Sequence, residues 1–156
     1  MMGLDTTHDC FHASYSTFAF WRNDIGRILG WEIEDRQTGS GEGYVIPEGR
    51  VPQQDPLPDE EVTEDGETYT IHWSTAYDNK VWLGHWDTDP DDVIDVLMLH
   101  SDCEGIIPHR FLEPLCHRLM DIMEQQEPDS WQRLTTGQFC AGLIEAHLRN
   151  EDVEFH

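Results

Sequence analysis

The segment from Gln37 to Gly66 constrains the fold more than any other part of the chain. It holds Gly39, Gly41, Gly43 and Gly49, then Pro47, Pro52, Pro56 and Pro58, and an acidic run at 59–61. Glycine adds chain entropy that folding must remove, and proline lacks a backbone donor, so no continuous helix or central strand threads this stretch. It reads as a long acidic loop, a mobile insertion rather than a lid, because Tyr44 is its one aromatic anchor. The core must come from what lies on either side, within a single domain spanning 1–156.

Ahead of the loop, Phe11, Tyr15, Phe18, Ile25 and Leu29 recur at helical spacing over 6–29, with Arg22 interrupting the stripe. Thr6 with Asp9 resembles a capping box, and the helix starts there or nearer Ser14; Gly30 stops it. Trp31 to Arg36 alternates as a short strand. Beyond the loop, Glu67 to Trp73 alternates with Tyr69, Ile71 and Trp73 on one face, and a turn at Asp78-Asn79 brings Val81-Trp82-Leu83 back as its hairpin partner. Asp89-Pro90-Asp91-Asp92 supplies an aspartate cap, proline at the first helical position and acids at the positive dipole end. Val93, Val96, Leu97 and His100 then form an inner face. A helix from about Glu113 or Pro114 carries Leu115, Leu119, Ile122 and Met123, and another covers Trp131 to Asn150. Val153 to His156 reads as an extended tail pinned by Phe155. The sum is an α+β fold, about four helices packed on a small antiparallel sheet.

Thirty-two acidic residues against nine basic ones leave a net charge of −23, and Lys80 is the single lysine. Such a chain lacks the clustered cations that grip a nucleic-acid backbone or an anionic membrane. The acidity reads as adaptation to high salt, as mimicry of a polyanion, or as a plain soluble surface. The scarcity of lysine and the scatter of the carboxylates favour adaptation. No run reaches the roughly 18 apolar residues of a membrane span. The start lacks a basic region followed by an apolar one, and Cys10, Cys103, Cys116 and Cys140 are too scattered for a disulfide framework. A cytoplasmic protein is expected.

Two polar clusters carry the chemistry. His8-Asp9-Cys10-Phe11-His12 sets two histidines at i and i+4, which on a helix would share one face, as in helical zinc sites; Asp follows the first where zinc proteases have Glu. His100-Ser101-Asp102-Cys103-Glu104-Gly105 follows an apolar run and would supply the remaining ligands. The expected metal set is His8, His12, His100 and Asp102, with zinc as the metal. The expected ligand-binding set is His8, Asp9, His12, His100, Asp102 and Glu104, walled by Trp73 and Trp86. Against this stands plain turn and capping chemistry for both clusters. Flanking carboxylates disfavour a Cys103 thiolate, and Cys116 and Cys140 fall on core faces. No nucleophile elbow or phosphate-cradling glycine loop is present.

Gly3-Leu4-Asp5-Thr6-Thr7-His8-Asp9-Cys10, the 100–105 hexapeptide and the terminal Val153-Glu154-Phe155-His156 together resemble a family of small proteins from phages, mobile elements and prokaryotes with no assigned activity. The resemblance covers both ends and the centre, not the 37–66 loop. It implies a context in which small proteins bind a host protein or sequester a host signal. The expected function is therefore a non-catalytic acidic binding protein that captures a small ligand or inhibits a host partner. The alternatives are a metal-dependent hydrolase built on His8 and His12 with His100 or Asp102, and a polyanion mimic blocking a nucleic-acid-binding protein.

Overall fold

Ser14 decides where the first helix begins. Its hydroxyl accepts the Thr17 N–H at 3.1 Å, so α1 runs Tyr15–Leu29, the later of the two starts the sequence allowed. It closes with Trp31 N–H on Gly26 O and Gly30 N–H on Arg27 O, a Schellman pair that satisfies the last carbonyls. The computed structural model describes residues 3–35, 42–50, 59–71 and 79–156. Among the described residues before Ser14 none belongs to an α-helix. β1 (Gly3–Asp5) pairs antiparallel with β2 (His12–Ser14), and a 3-10 turn over Thr7–Asp9 joins them, with His8 and Asp9 at φ 61° and 53°.

Among the described residues the strands form four two-stranded antiparallel sheets in place of the expected single one. β3 (Ile33–Asp35) pairs with β4 (Glu42–Tyr44), and β5 (Glu60–Glu64) with β6 (Glu67–Ile71). The expected pairing of 67–73 with Val81-Trp82-Leu83 does not occur. Asp65 and Gly66 both take positive φ (52° and 80°), the two-residue turn that matches strand twist, and it folds β6 back on the preceding acids. Val81 and Trp82 belong instead to a short helix, α2 (Asn79–Trp82).

Of the 37–66 segment, residues 42–50 and 59–66 are described, and 37–41 and 51–58 lie outside the described residues. Tyr44 donates its hydroxyl proton to Met98 O at 2.6 Å and packs at 5.7 Å from the Trp31 ring. Arg50 forks onto the fully buried Asp95, Nε to Oδ2 at 2.9 Å and Nη2 to Oδ1 at 3.0 Å. Two anchors absent from any periodicity thus bind residues 42–50 to the body.

The helix expected from Asp89 begins later, as α3 (Asp95–Met98). α3 has no side-chain cap; Asp92, in the turn ahead of it, accepts the Ile94 N–H at 3.1 Å and is held by the Arg118 guanidinium on both oxygens. β7 (Gly105–Ile107) follows, then α4 (His109–Glu124), which starts ahead of the expected Glu113 or Pro114. The reason is distant in sequence: Asp152 Oδ1 accepts the His109 N–H at 2.7 Å, an end-cap supplied by another element. α5 (Trp131–Leu148), capped by Ser130, runs back along α4, with Cys116 opposite Cys140 and the His109 ring stacked on His147. β8 (Val153–Phe155) closes the chain, Gly105 facing Phe155 and Ile107 facing Val153.

The core is aromatic at its centre. Phe11, Phe18, Trp21 and Phe139 meet at centroid distances of 5.0–5.9 Å, and Trp21 Nε1 donates to Thr136 Oγ1 at 2.9 Å, so the indole is buried with its donor satisfied. Arg22, which broke the apolar stripe in sequence, is buried too. Its Nη1 donates to Leu97 O and His100 O while its guanidinium lies 4.3 Å from the Phe18 ring, so α1 supplies the cation that caps the C-terminal end of α3. Among the described residues, five α-helices on small antiparallel sheets make the fold α+β.

Candidate functional site

The three short motifs converge, but through their backbones. β8 pairs with β7 on one side, and on the other Phe155 bridges to Thr6, with Asp5 N–H on His156 O at 2.9 Å and His156 N–H on Asp5 O at 2.8 Å. Thr7 Oγ1 accepts the Glu154 N–H, also at 2.9 Å. Thr6 Oγ1 accepts the Phe11 N–H at 2.9 Å, which closes the turn. The Phe155 ring lies 4.2 Å from His100 and 6.0 Å from Phe18. The terminal strand is the seam that joins both polar clusters to the core.

Within that seam the expected ligand residues do not face one space. His8 binds Thr7 Oγ1 through Nδ1 at 2.8 Å and approaches Glu151 through Nε2 at 3.4 Å. His12 is mostly exposed and sits across from Asp5, Nδ1 to Oδ1 at 3.3 Å. The helical i, i+4 pair is overturned by the left-handed turn at His8 and Asp9 and by the strand that holds His12. Asp9 is exposed and contributes its carbonyl to Gln138 Nε2. His100 is fully buried, with Nδ1 2.8 Å from Ser101 O and Nε2 2.8 Å from Ile106 O, and shares no partner with His8. Both of its partners are carbonyls, and a neutral ring donates to only one of them. Burial pushes its pKa below the ordinary histidine value, while the two carbonyl contacts pull upward.

Ser101, not Asp102, organises the central turn, its hydroxyl accepting the Cys103 and Glu104 N–H groups. Asp102 is half-buried, and Cys103 and Glu104 are exposed. Trp86 is buried and sits beside Arg110, which donates to its carbonyl at 2.6 Å; Trp73 lies outside the described residues. Burial raises the Cys10 and Cys140 thiols to about 12, so neither is a nucleophile at neutral pH. Among the described residues no group of three or more His, Cys, Asp or Glu is placed to hold a metal ion, and the set of His8, His12, His100 and Asp102 is not assembled.

Three groupings were not singled out from sequence spacing. The first joins Arg50, Asp92, Asp95 and Arg118. Burial raises the Asp95 carboxyl above its ordinary value, and the Arg50 fork held on both of its oxygens opposes that rise. Burial also opposes ionisation of Asp92, but Arg118, the Ile94 N–H and Arg50 outweigh it and hold that carboxyl below the usual range. The second sets Glu113 between two histidines, Oε2 3.3 Å from His147 Nε2 and Oε1 3.8 Å from His117 Nε2.

The third is the β5–β6 hairpin. From Asp59 to Thr70 every residue is exposed except Val62, which is half-buried. Asp59, Glu60, Glu61, Glu64, Asp65 and Glu67 fall on this one projection, with no basic residue among 59–71. Val62 and Tyr69 are paired across the strands, and Tyr69 donates to Glu64 at 3.2 Å. Two-stranded sheets are marginal in water on their own. Among the described residues no helix is long and apolar enough to cross a membrane. Comparison with protein-family models, with curated proteins and with solved structures returned no match.

Proposed function

We propose that this is a non-catalytic binding protein that inhibits a basic protein partner, with the β5–β6 hairpin as its engaging element. The observation that carries the reading is the exposure of Asp59 to Thr70 on a projecting hairpin that concentrates six carboxylates and no cation. A net charge of −23 steers a basic surface toward the molecule and speeds encounter, and a local carboxylate array gives that encounter a place to settle. The partner that fits is the basic groove of a nucleic-acid-binding protein, for which the hairpin offers a surrogate polyanion. This is the setting in which the resemblance to small phage and mobile-element proteins makes sense. The hydrolase alternative has no ligand set to draw on among the described residues.

The test is displacement. A basic DNA-binding protein of the histone-like type is loaded with labelled duplex DNA, and this protein is titrated in at moderate salt. DNA release is expected, and it should weaken steeply with salt as counterion release predicts. A Glu60→Gln, Glu61→Gln, Glu64→Gln, Glu67→Gln variant should lose most of that activity. A control neutralised to the same extent at the exposed Asp121, Glu124, Glu127 and Asp129 should keep it. Equal losses in both variants would reduce the effect to net charge and remove the hairpin from the account.

A further inference from the structure

A cleft of about 400 Å³ opens between residues 89–93 and the first turns of α4, lined by Asp89, Pro90, Val93, Arg110, Phe111 and Pro114. That volume is within the range of small-molecule sites. Two prolines, a valine and a phenylalanine make its walls apolar. The remaining two lining residues are charged, and of opposite sign: Arg110 Nη1 lies 3.5 Å from Asp89 Oδ1.

The two charges are held differently. Arg110 is positioned by the protein, its Nη2 donating to Trp86 O at 2.6 Å and its guanidinium lying 4.2 Å from the Phe111 ring centroid. The Asp89 side chain is 82% exposed and its carboxylate is open to new partners. An exposed ion pair of this kind contributes little to stability, so a ligand carrying both complementary charges can replace it at small cost. Trp86, directly bonded to Arg110 through its carbonyl, also keeps a buried indole N–H with no hydrogen-bond partner among the described residues.

We infer that this cleft binds a free α-amino acid with an apolar side chain. Its carboxylate takes the Arg110 guanidinium, its ammonium takes Asp89, and its side chain lies against Pro90, Val93, Phe111 and Pro114. The net charge of −23 selects this class. A simple organic anion approaches Arg110 against the field of the whole molecule, whereas a zwitterion carries no net charge and meets no such barrier. A simple cation satisfies Asp89 but leaves the guanidinium without a carboxylate. The proposal is independent of the hairpin and of any protein partner.

The test is a nuclear magnetic resonance titration of the full-length protein with L-phenylalanine and L-leucine. N-acetyl-L-phenylalanine, which lacks the ammonium, and phenethylamine, which lacks the carboxylate, serve as probes of each charge. Saturable shifts are expected at Val93, Arg110, Phe111 and the Trp86 indole. Each single-charge analogue should bind about tenfold more weakly or worse, the equivalent of one charge-assisted hydrogen bond. Asp89→Asn, at a site too exposed to endanger the fold, should weaken L-phenylalanine about tenfold and tighten rather than weaken N-acetyl-L-phenylalanine, whose carboxylate no longer competes with Asp89 for Arg110. Absence of saturation by both amino acids, equal affinity for all four compounds, or insensitivity of L-phenylalanine to Asp89→Asn would each overturn the proposal.

Discussion

Phe155→Ala tests whether the terminal strand is a structural seam. Phe155 is 3% exposed, its ring lies 4.2 Å from His100 and 6.0 Å from Phe18, and its backbone bridges Gly105 on one side and Thr6 on the other. The substitution leaves those backbone bonds in place and removes only the ring. Phenylalanine-to-alanine changes in cores cost about 3–5 kcal/mol, combining lost transfer energy with the cavity left behind. The upper end is expected, because the neighbours are a ring fixed by two carbonyls and the packed aromatic centre, neither free to collapse into the space. For a chain of this size each kcal/mol moves the melting temperature by about 2–4 °C, so at about 5 kcal/mol a fall of roughly 10–20 °C should follow. Urea unfolding at fixed pH and salt measures the free energy, and calorimetry measures the temperature. A second arm adds His100→Gln. If the two rings pack as described, the double variant should depart from additivity by about 0.5 kcal/mol or more. A loss below about 1 kcal/mol for Phe155→Ala, with strict additivity, would refute the seam and return the tail to a loosely attached extension.

Arg50→Ala should cost about 3–5 kcal/mol, because it strands the fully buried Asp95 carboxylate; a change within 0.5 kcal/mol, typical of surface sites, would mean that residues 42–50 are not anchored. His100 links stability to pH. Burial lowers its pKa from 6.5, so the fold favours the neutral ring: its contribution is full above that value and is lost as pH falls through the folded-state pKa. The stability difference between the native chain and His100→Gln should therefore shrink on going from about pH 7.5 to about pH 5.5, and a ring midpoint at or above 6.5 in a nuclear magnetic resonance titration would contradict this. Finally, with 32 carboxylates and one lysine, the melting temperature should rise between about 0.1 M and 1 M salt, as the Debye length falls from about 10 Å to about 3 Å; a flat or falling trend would show the charges to be locally paired.

Local chemistry was legible wherever it acts within a few residues. The stripe of Phe18 and Ile25 with Gly30 beyond it placed most of α1, and the helix expected over Trp131 to Asn150 matches α5 closely. The alternation of Trp31 to Arg36 and the pinned Phe155 marked β3 and β8, and the buried Cys116 and Cys140 followed from their helical faces. Periodicity and burial preference operate over one or two turns, so a sequence carries them openly. What spacing left undetermined was every decision made by a distant partner. His8 and His12 look like a helical pair until Thr6 closes a left-handed turn beneath them. The start of α4 depends on Asp152, the end of α3 on Arg22, and the binding of the glycine- and proline-rich segment on Met98 and Asp95. The candidate cleft follows the same rule, since Asp89 and Arg110 meet only after β7 has brought α4 alongside the 89–93 segment. Ion pairs and buried hydrogen bonds are directional and satisfied by whichever group tertiary packing delivers. Their partners are therefore settled in space and leave no mark in the spacing of the chain.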